Sequence, residues 1–225
     1  MIYVTGDTHI PTDVSKLNTR RFPAQKQLAE TDYVIICGDF GGVWNNDREE
    51  YYWRKWLDKK NFTTLFVDGN HENFDLLRTF ETVPFGGGTA HKISDRIYHL
   101  MRGQIYEIDG KRLFTFGGAA SHDKACRTAG INWWAEELPS PDEMAHAVAA
   151  LTSAVWQVDY IITHCAPSSV QQKIAADYGE DVLTRFLEDI KNKVSFRKWY
   201  FGHYHIDRVL EDRFCCLFEQ VKPLD

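Results

Sequence analysis

The chain is predicted to fold as an α/β protein, with an alternating βαβ half followed by a second sheet, and three observations predict it. Short apolar runs rich in β-branched and aromatic residues recur at 2–4, 33–36, 64–67, 160–162 and 199–201, the composition of buried strands. Helical patterns separate them in the first half, at 20–30, 49–59 and 74–80, which is the alternation of βαβ units. From Arg96 onward, strand patterns follow one another across tight turns, which implies a second sheet.

The later elements follow in order. Strands are expected at 97–100, 104–108 and 112–116, the last two joined by the hairpin signal Asp109-Gly110. Ser140-Pro141-Asp142-Glu143 combines an N-cap, a proline at the first helical position and a capping-box glutamate. The helix it opens is expected to bury Met144, Val148, Leu151 and Val155. Another helix over 181–191 would bury Val182, Phe186 and Ile190, and strands at 208–210 and 214–218 close the chain. With no repeat, low-complexity tract or linker, one domain over residues 1–225 is expected.

Charge and composition exclude several classes of partner. A formal net charge of −6 with no Lys/Arg run argues against a footprint for duplex nucleic acid. No apolar run approaches the roughly 20 residues that span a bilayer, and a strand beginning at Ile2 leaves no room for a signal peptide. A cytoplasmic location without a membrane partner is therefore expected, while oligomeric state has no signal. The five cysteines are odd in number and lack C-x-x-C spacing, which points to reduced thiols rather than a disulfide framework.

The chemistry is concentrated where the five apolar runs end. There the chain places Gly6-Asp7-Thr8-His9, Gly38-Asp39, Gly69-Asn70-His71-Glu72, Thr163-His164 and Gly202-His203-Tyr204-His205. In open α/β sheets ligands bind beyond the carboxyl ends of strands, so these side chains would converge on one rim. A lone Gly-Asp pair reads as a turn, and a lone histidine as a rim residue. Five ordered segments together read as a metal centre. Carboxylate, amide and imidazole donors without thiolate suit Mn²⁺, Fe, Zn²⁺ or Ni²⁺.

This order of motifs resembles the calcineurin-like metallophosphoesterase superfamily, and the Gly117-Gly118-Ala119 and Trp133-Trp134-Ala135-Glu136-Glu137 stretches resemble its bacterial and phage-type members. The resemblance implies a four-layer α/β/β/α sandwich of two mixed β-sheets, with two divalent metal ions at the strand C-terminal ends, Mn²⁺ favoured. Carried over by position, it implies Asp7, His9, Asp39 and His205 around one ion and Asp39, Asn70, His164 and His203 around the other, with Asp39 bridging. A hydroxide bridging the ions would then attack phosphorus. His71 resembles the family's catalytic histidine outside the ligand set, which stabilises the transition state or protonates the leaving oxygen.

The chain departs from the protein Ser/Thr phosphatase branch at two places. Where that branch carries Asp-Arg-Gly after the second motif and an arginine before Gly-Asn-His-Glu, this chain has Phe40-Gly41-Gly42-Val43 and Asp68. The usual phosphate-binding arginines are absent, which argues against a phosphoprotein substrate and leaves Asp47 and Asp68 as candidate partners of His71. The non-periodic segment after Gly117 offers replacements: Arg127 or Lys124 for phosphate, Trp133 or Trp134 for stacking, and His122. The expected function is hydrolysis of a small phosphomonoester or nucleotide, with phosphodiesters or nucleic-acid ends as the alternative. A catalytically silent binding module is the reading from another class.

Overall fold

A computed structural model describes residues 1–225, and its strands form two sheets of seven and six. The order along the chain is β1 (Ile2–Thr5), β2 (Tyr33–Ile36), α1 (Arg48–Asp58), β3 (Thr63–Phe66), α2 (Phe74–Leu77), β4 (Glu81–Phe85), β5 (Gly88–Lys92) and β6 (Ile97–Leu100). It continues with β7 (Gln104–Ile108), β8 (Lys111–Phe116), α3 (Pro141–Ser153), β9 (Tyr160–Thr163), α4 (Ser168–Ile174) and α5 (Val182–Lys193). The last elements are β10 (Lys198–Phe201), β11 (Arg208–Leu210), β12 (Phe214–Cys216) and β13 (Lys222–Pro223).

Both sheets are mixed. In the first, β1, β2, β3 and β6 run parallel, flanked by antiparallel β13 on one edge and on the other by β5, antiparallel to β6, and then β4, antiparallel to β5. In the second, β12, β10, β9 and β8 run parallel between antiparallel β11 and β7.

The period-two alternation of strand residues sorts the core into three layers. Val4, Ile35, Leu65, Tyr160, Ile162 and Tyr200 meet between the sheets. Val34, Ile36 and Phe66 face the other way, onto Leu57 of α1 and the loops carrying Val14, Leu17 and Phe22. Ile161, Trp199 and Phe201 pack under Ala147 and Leu151 of α3, Val170 of α4 and Leu183 and Leu187 of α5. The result is the four-layer α/β/β/α sandwich. Each fully buried side chain of this size contributes roughly 1.5–3 kcal/mol. No helix is long and apolar enough to cross a membrane.

Several elements differ from expectation for identifiable reasons. The pattern at 20–30 forms only a 3₁₀ turn over Pro23–Gln27, because Phe22, Gln25 and Leu28 are buried at every third position. The helix expected over 74–80 stops after one turn at Leu77. The Asp109-Gly110 hairpin forms as expected, with positive φ at both residues. Strand β6, however, pairs with β3 and belongs to the first sheet, so the change of sheet falls between Leu100 and Gln104.

The capping box of α3 is present, yet the helix buries Ala147 and Leu151, while Val148 and Val155 are exposed. Helix α5 likewise turns Leu183, Leu187 and Ile190 inward and leaves Val182 exposed, with Phe186 half-buried at the edge of the core. The hairpin β4–β5, helix α4 and edge strand β13 were not legible.

Candidate metal centre

Strands β1, β2, β9 and β10, and the residues just beyond β3, deliver the five motifs to one rim. The backbone there is strained: His9, Asp39, His203 and His205 all adopt positive φ, between 32° and 69°. Non-glycine residues in that region cost on the order of 1–3 kcal/mol and cluster at functional sites. Two glycines explain how the motifs meet so closely. A Cβ on Gly69 would lie 2.0 Å from Oδ1 of Asp39, and one on Gly202 would lie 2.1 Å from Oδ1 of Asp7. The glycine of one motif thus makes room for the carboxylate of another.

Donor atoms of Asp7, His9, Asp39 and His205 lie within 4.8 Å of one another. Oδ2 of Asp7 is 3.1 Å from Nε2 of His205, and Oδ2 of Asp39 is 3.2 Å from Nε2 of His9. On the far side of Asp39, Oδ1 is 3.3 Å from Nε2 of His164, which is also 3.2 Å from Oδ1 of Asn70. The His203 ring sits 5.0 Å from that of His164, edge to face. All seven expected ligand residues are therefore brought together.

The outer nitrogens of two histidines decide what the inner ones present. Nδ1 of His9 donates to Asp13 at 2.8 Å, and Nδ1 of His164 donates to the Cys37 carbonyl at 2.7 Å. In the neutral rings Nε2 is then a lone pair, facing the oxygens of Asp39 and Asn70. Lone pairs set against oxygens repel unless a proton or a cation lies between them. Burial alone would lower the pKa of His164, but Asp39 beside it prevails and raises it to about 9. Asp39, despite burial, is held well below the usual carboxylate range, chiefly by His164. Burial, reinforced by His164, pushes His203 down to about 3, so its ring is neutral and free to ligate. The site selects positive charge, and its donors, oriented by outer hydrogen bonds, fit divalent cations.

A cleft of about 230 Å³ lies over this cluster, lined by Asp39, Asn70, His71, Arg127, His203 and His205 among others. Its wall includes His122, whose ring lies 3.8 Å from that of Tyr178. Arg127 reaches it from the loop after β8. Lys124 and Trp133 remain outside and pair with each other, Nζ lying 4.1 Å above the indole. Trp134 is only 4% exposed, packs edge-on against Trp44 and donates Nε1–H to Asp75. It is a packing residue.

The two carboxylates considered for His71 are engaged elsewhere. Asp47 caps α1 through the backbone N–H groups of Glu49 and Glu50, and buried Asp68 pairs with Arg102 and His99. Residues that the sequence reasoning missed include Asp13, four positions after His9, Ser121, which touches Asn70, and Lys16. The Lys16 side chain is buried and donates to the backbone carbonyls of Asp7 and Phe218. Only the His9–Asp13 spacing offered a sequence signal.

Fold and site together define a metal-dependent phosphoester hydrolase. A family model described as calcineurin-like phosphoesterase matches residues 1–207, and the chain belongs to that family. No curated protein matches the chain.

Proposed function

We propose that the chain hydrolyses small phosphomonoesters or nucleotides at a binuclear centre, with Asp7, His9, Asp39 and His205 holding one divalent ion and Asp39, Asn70, His164 and His203 the other. The observation that carries this reading is the Asp39 carboxylate, which turns separate oxygens toward His9 and His164 at 3.2 and 3.3 Å. That geometry suits a bridging ligand. Two divalent ions held there would activate water as a nucleophile near neutral pH and offset charge on the phosphoryl group. Mn²⁺ is favoured, and the donor set also admits Fe, Zn²⁺ or Ni²⁺.

The chain's own residues orient the ester. Arg127, braced by Asp123, is the donor for a phosphoryl oxygen in place of the missing family arginines. His71 lies between Arg127 and Trp44 and lines both the metal cleft and a second cleft of about 230 Å³ that includes Trp44 and Asn45. The leaving group extends past His71 into that second cleft. Phe40-Gly41-Gly42-Val43 and Asp68, standing where the protein Ser/Thr phosphatase branch carries its phosphate-binding arginines, support a compact substrate rather than a phosphoprotein.

The test combines metal analysis with parallel turnover of 4-nitrophenyl phosphate, bis(4-nitrophenyl) phosphate and nucleoside monophosphates in Mn²⁺. Two ions per chain and faster monoester turnover are expected. Faster diester turnover would make the protein a phosphodiesterase, and no turnover with any divalent ion would make it a binding module.

A further inference from the structure

The two ends of the Asn70 amide are chemically opposite, since only Oδ1 can hold a cation. Oδ1 lies on the His164 side, while Nδ2 donates to Oγ of Ser121 at 3.3 Å. A serine hydroxyl can donate or accept, so by itself it would tolerate either orientation of the amide. It selects one orientation only if its own hydrogen is directed elsewhere.

Glu137 provides that direction. Its side chain is 1% exposed and accepts from the Ser121 backbone N–H at 3.1 Å. The other carboxylate oxygen, Oε1, is buried with no hydrogen-bond partner, an unmet acceptor on the residue that already holds the Ser121 backbone. A hydroxyl hydrogen directed to that unmet acceptor leaves Oγ with only lone pairs for Asn70, consistent with the Asn70 Nδ2 donation that is seen. The amide must then offer N–H to Ser121 and its oxygen to the metal side. Neither residue lines the metal cleft.

We infer that Ser121, aligned by Glu137, is a positioning residue for the ion bound by Asp39, Asn70, His164 and His203, and sets its affinity without affecting the other ion. This inference rests on the two-metal reading above. It also explains what the segment after β8 contributes besides Arg127: the loop that reaches His71 is the one that aligns Asn70, so substrate contact and second-metal occupancy depend on the same piece of chain.

The experiment is calorimetric titration of metal-free protein with Mn²⁺, together with electron paramagnetic resonance of the loaded protein. Ser121→Ala should weaken one equivalent by about 10- to 100-fold, the usual cost of losing such an outer contact, and leave the other unchanged. The spin-coupled pair signal should give way to that of isolated Mn²⁺. Ser121→Thr, which keeps the hydroxyl, should restore the coupled signal, and Glu137→Gln should weaken the same equivalent as Ser121→Ala. Two wild-type affinities in Ser121→Ala, or equal weakening of both equivalents, would overturn the inference while leaving the two-metal reading intact. A single ion in the wild-type protein would overturn both.

Discussion

Nη2 of Arg127 lies 3.4 Å from Nε2 of His71, and Nε of the same guanidinium is held by Asp123 at 2.6 Å. Arginine can only donate, so Nε2 of His71 accepts and the imidazole is neutral, with its proton on Nδ1. Burial, opposed by Asp39 and reinforced by Arg127 and His9, lowers the pKa of His71 in the same direction. A cation occupies the position where a carboxylate partner was expected.

Arg127→Ala should lower kcat/KM by roughly 10²–10³, the range for removing one transition-state donor. Metal content and melting temperature should not change, because the side chain reaches into the cleft from a surface loop. Arg127→Lys should restore little, since an ammonium cannot reproduce the forked contact. Steady-state kinetics with parallel metal analysis would check this.

His71→Ala should reduce kcat by a similar roughly 10²–10³, and equally for nitrophenyl and alkyl esters. The ring's Nε2 is an acceptor here, which disfavours it as the proton source for the leaving oxygen. A markedly larger loss on alkyl esters, whose leaving groups need protonation, would restore the general-acid role.

Asp39→Asn removes the carboxylate that faces both histidine sets. Occupancy of the metal pair should fall and turnover should disappear while the fold persists. Retention of two tightly bound ions with near-native turnover would show that Asp39 does not bridge.

The two adjacent tryptophans should behave differently. Trp134→Ala opens a cavity beneath Trp44 and should cost about 3–5 kcal/mol of stability. Trp133→Ala removes only the stack with Lys124 and should leave both stability and substrate preference nearly unchanged. Chemical denaturation of the two variants separates these outcomes.

His91 predicts a pH dependence of stability. Burial, with His99 alongside, lowers its pKa from 6.5 to about 4. The unfolded chain therefore takes up a proton there more readily than the folded protein. Its contribution to stability is intact above pH 6.5 and is lost as the pH falls toward 4. His91→Gln should flatten that part of the melting curve against pH, and an unchanged wild-type-minus-variant difference across the window would contradict it.

Much of this protein was determined by local sequence. An apolar run followed by Gly-Asp or Gly-His specifies a buried strand and a ligand at its end, and Ser140-Pro141 specifies where α3 starts, because each depends on residues a few positions apart. Long-range pairing decided the rest. Whether β6 joined the first or second sheet depended on its register against β3, and the inward face of α3 depended on what lay beneath Ala147 and Leu151. Arg127 meets His71 across 56 positions, and His164 meets the Cys37 carbonyl across 127. Such contacts have no periodicity to read: they exist only because packed layers bring separate loops to one rim, where burial makes each unpaired charge costly enough to select its partner.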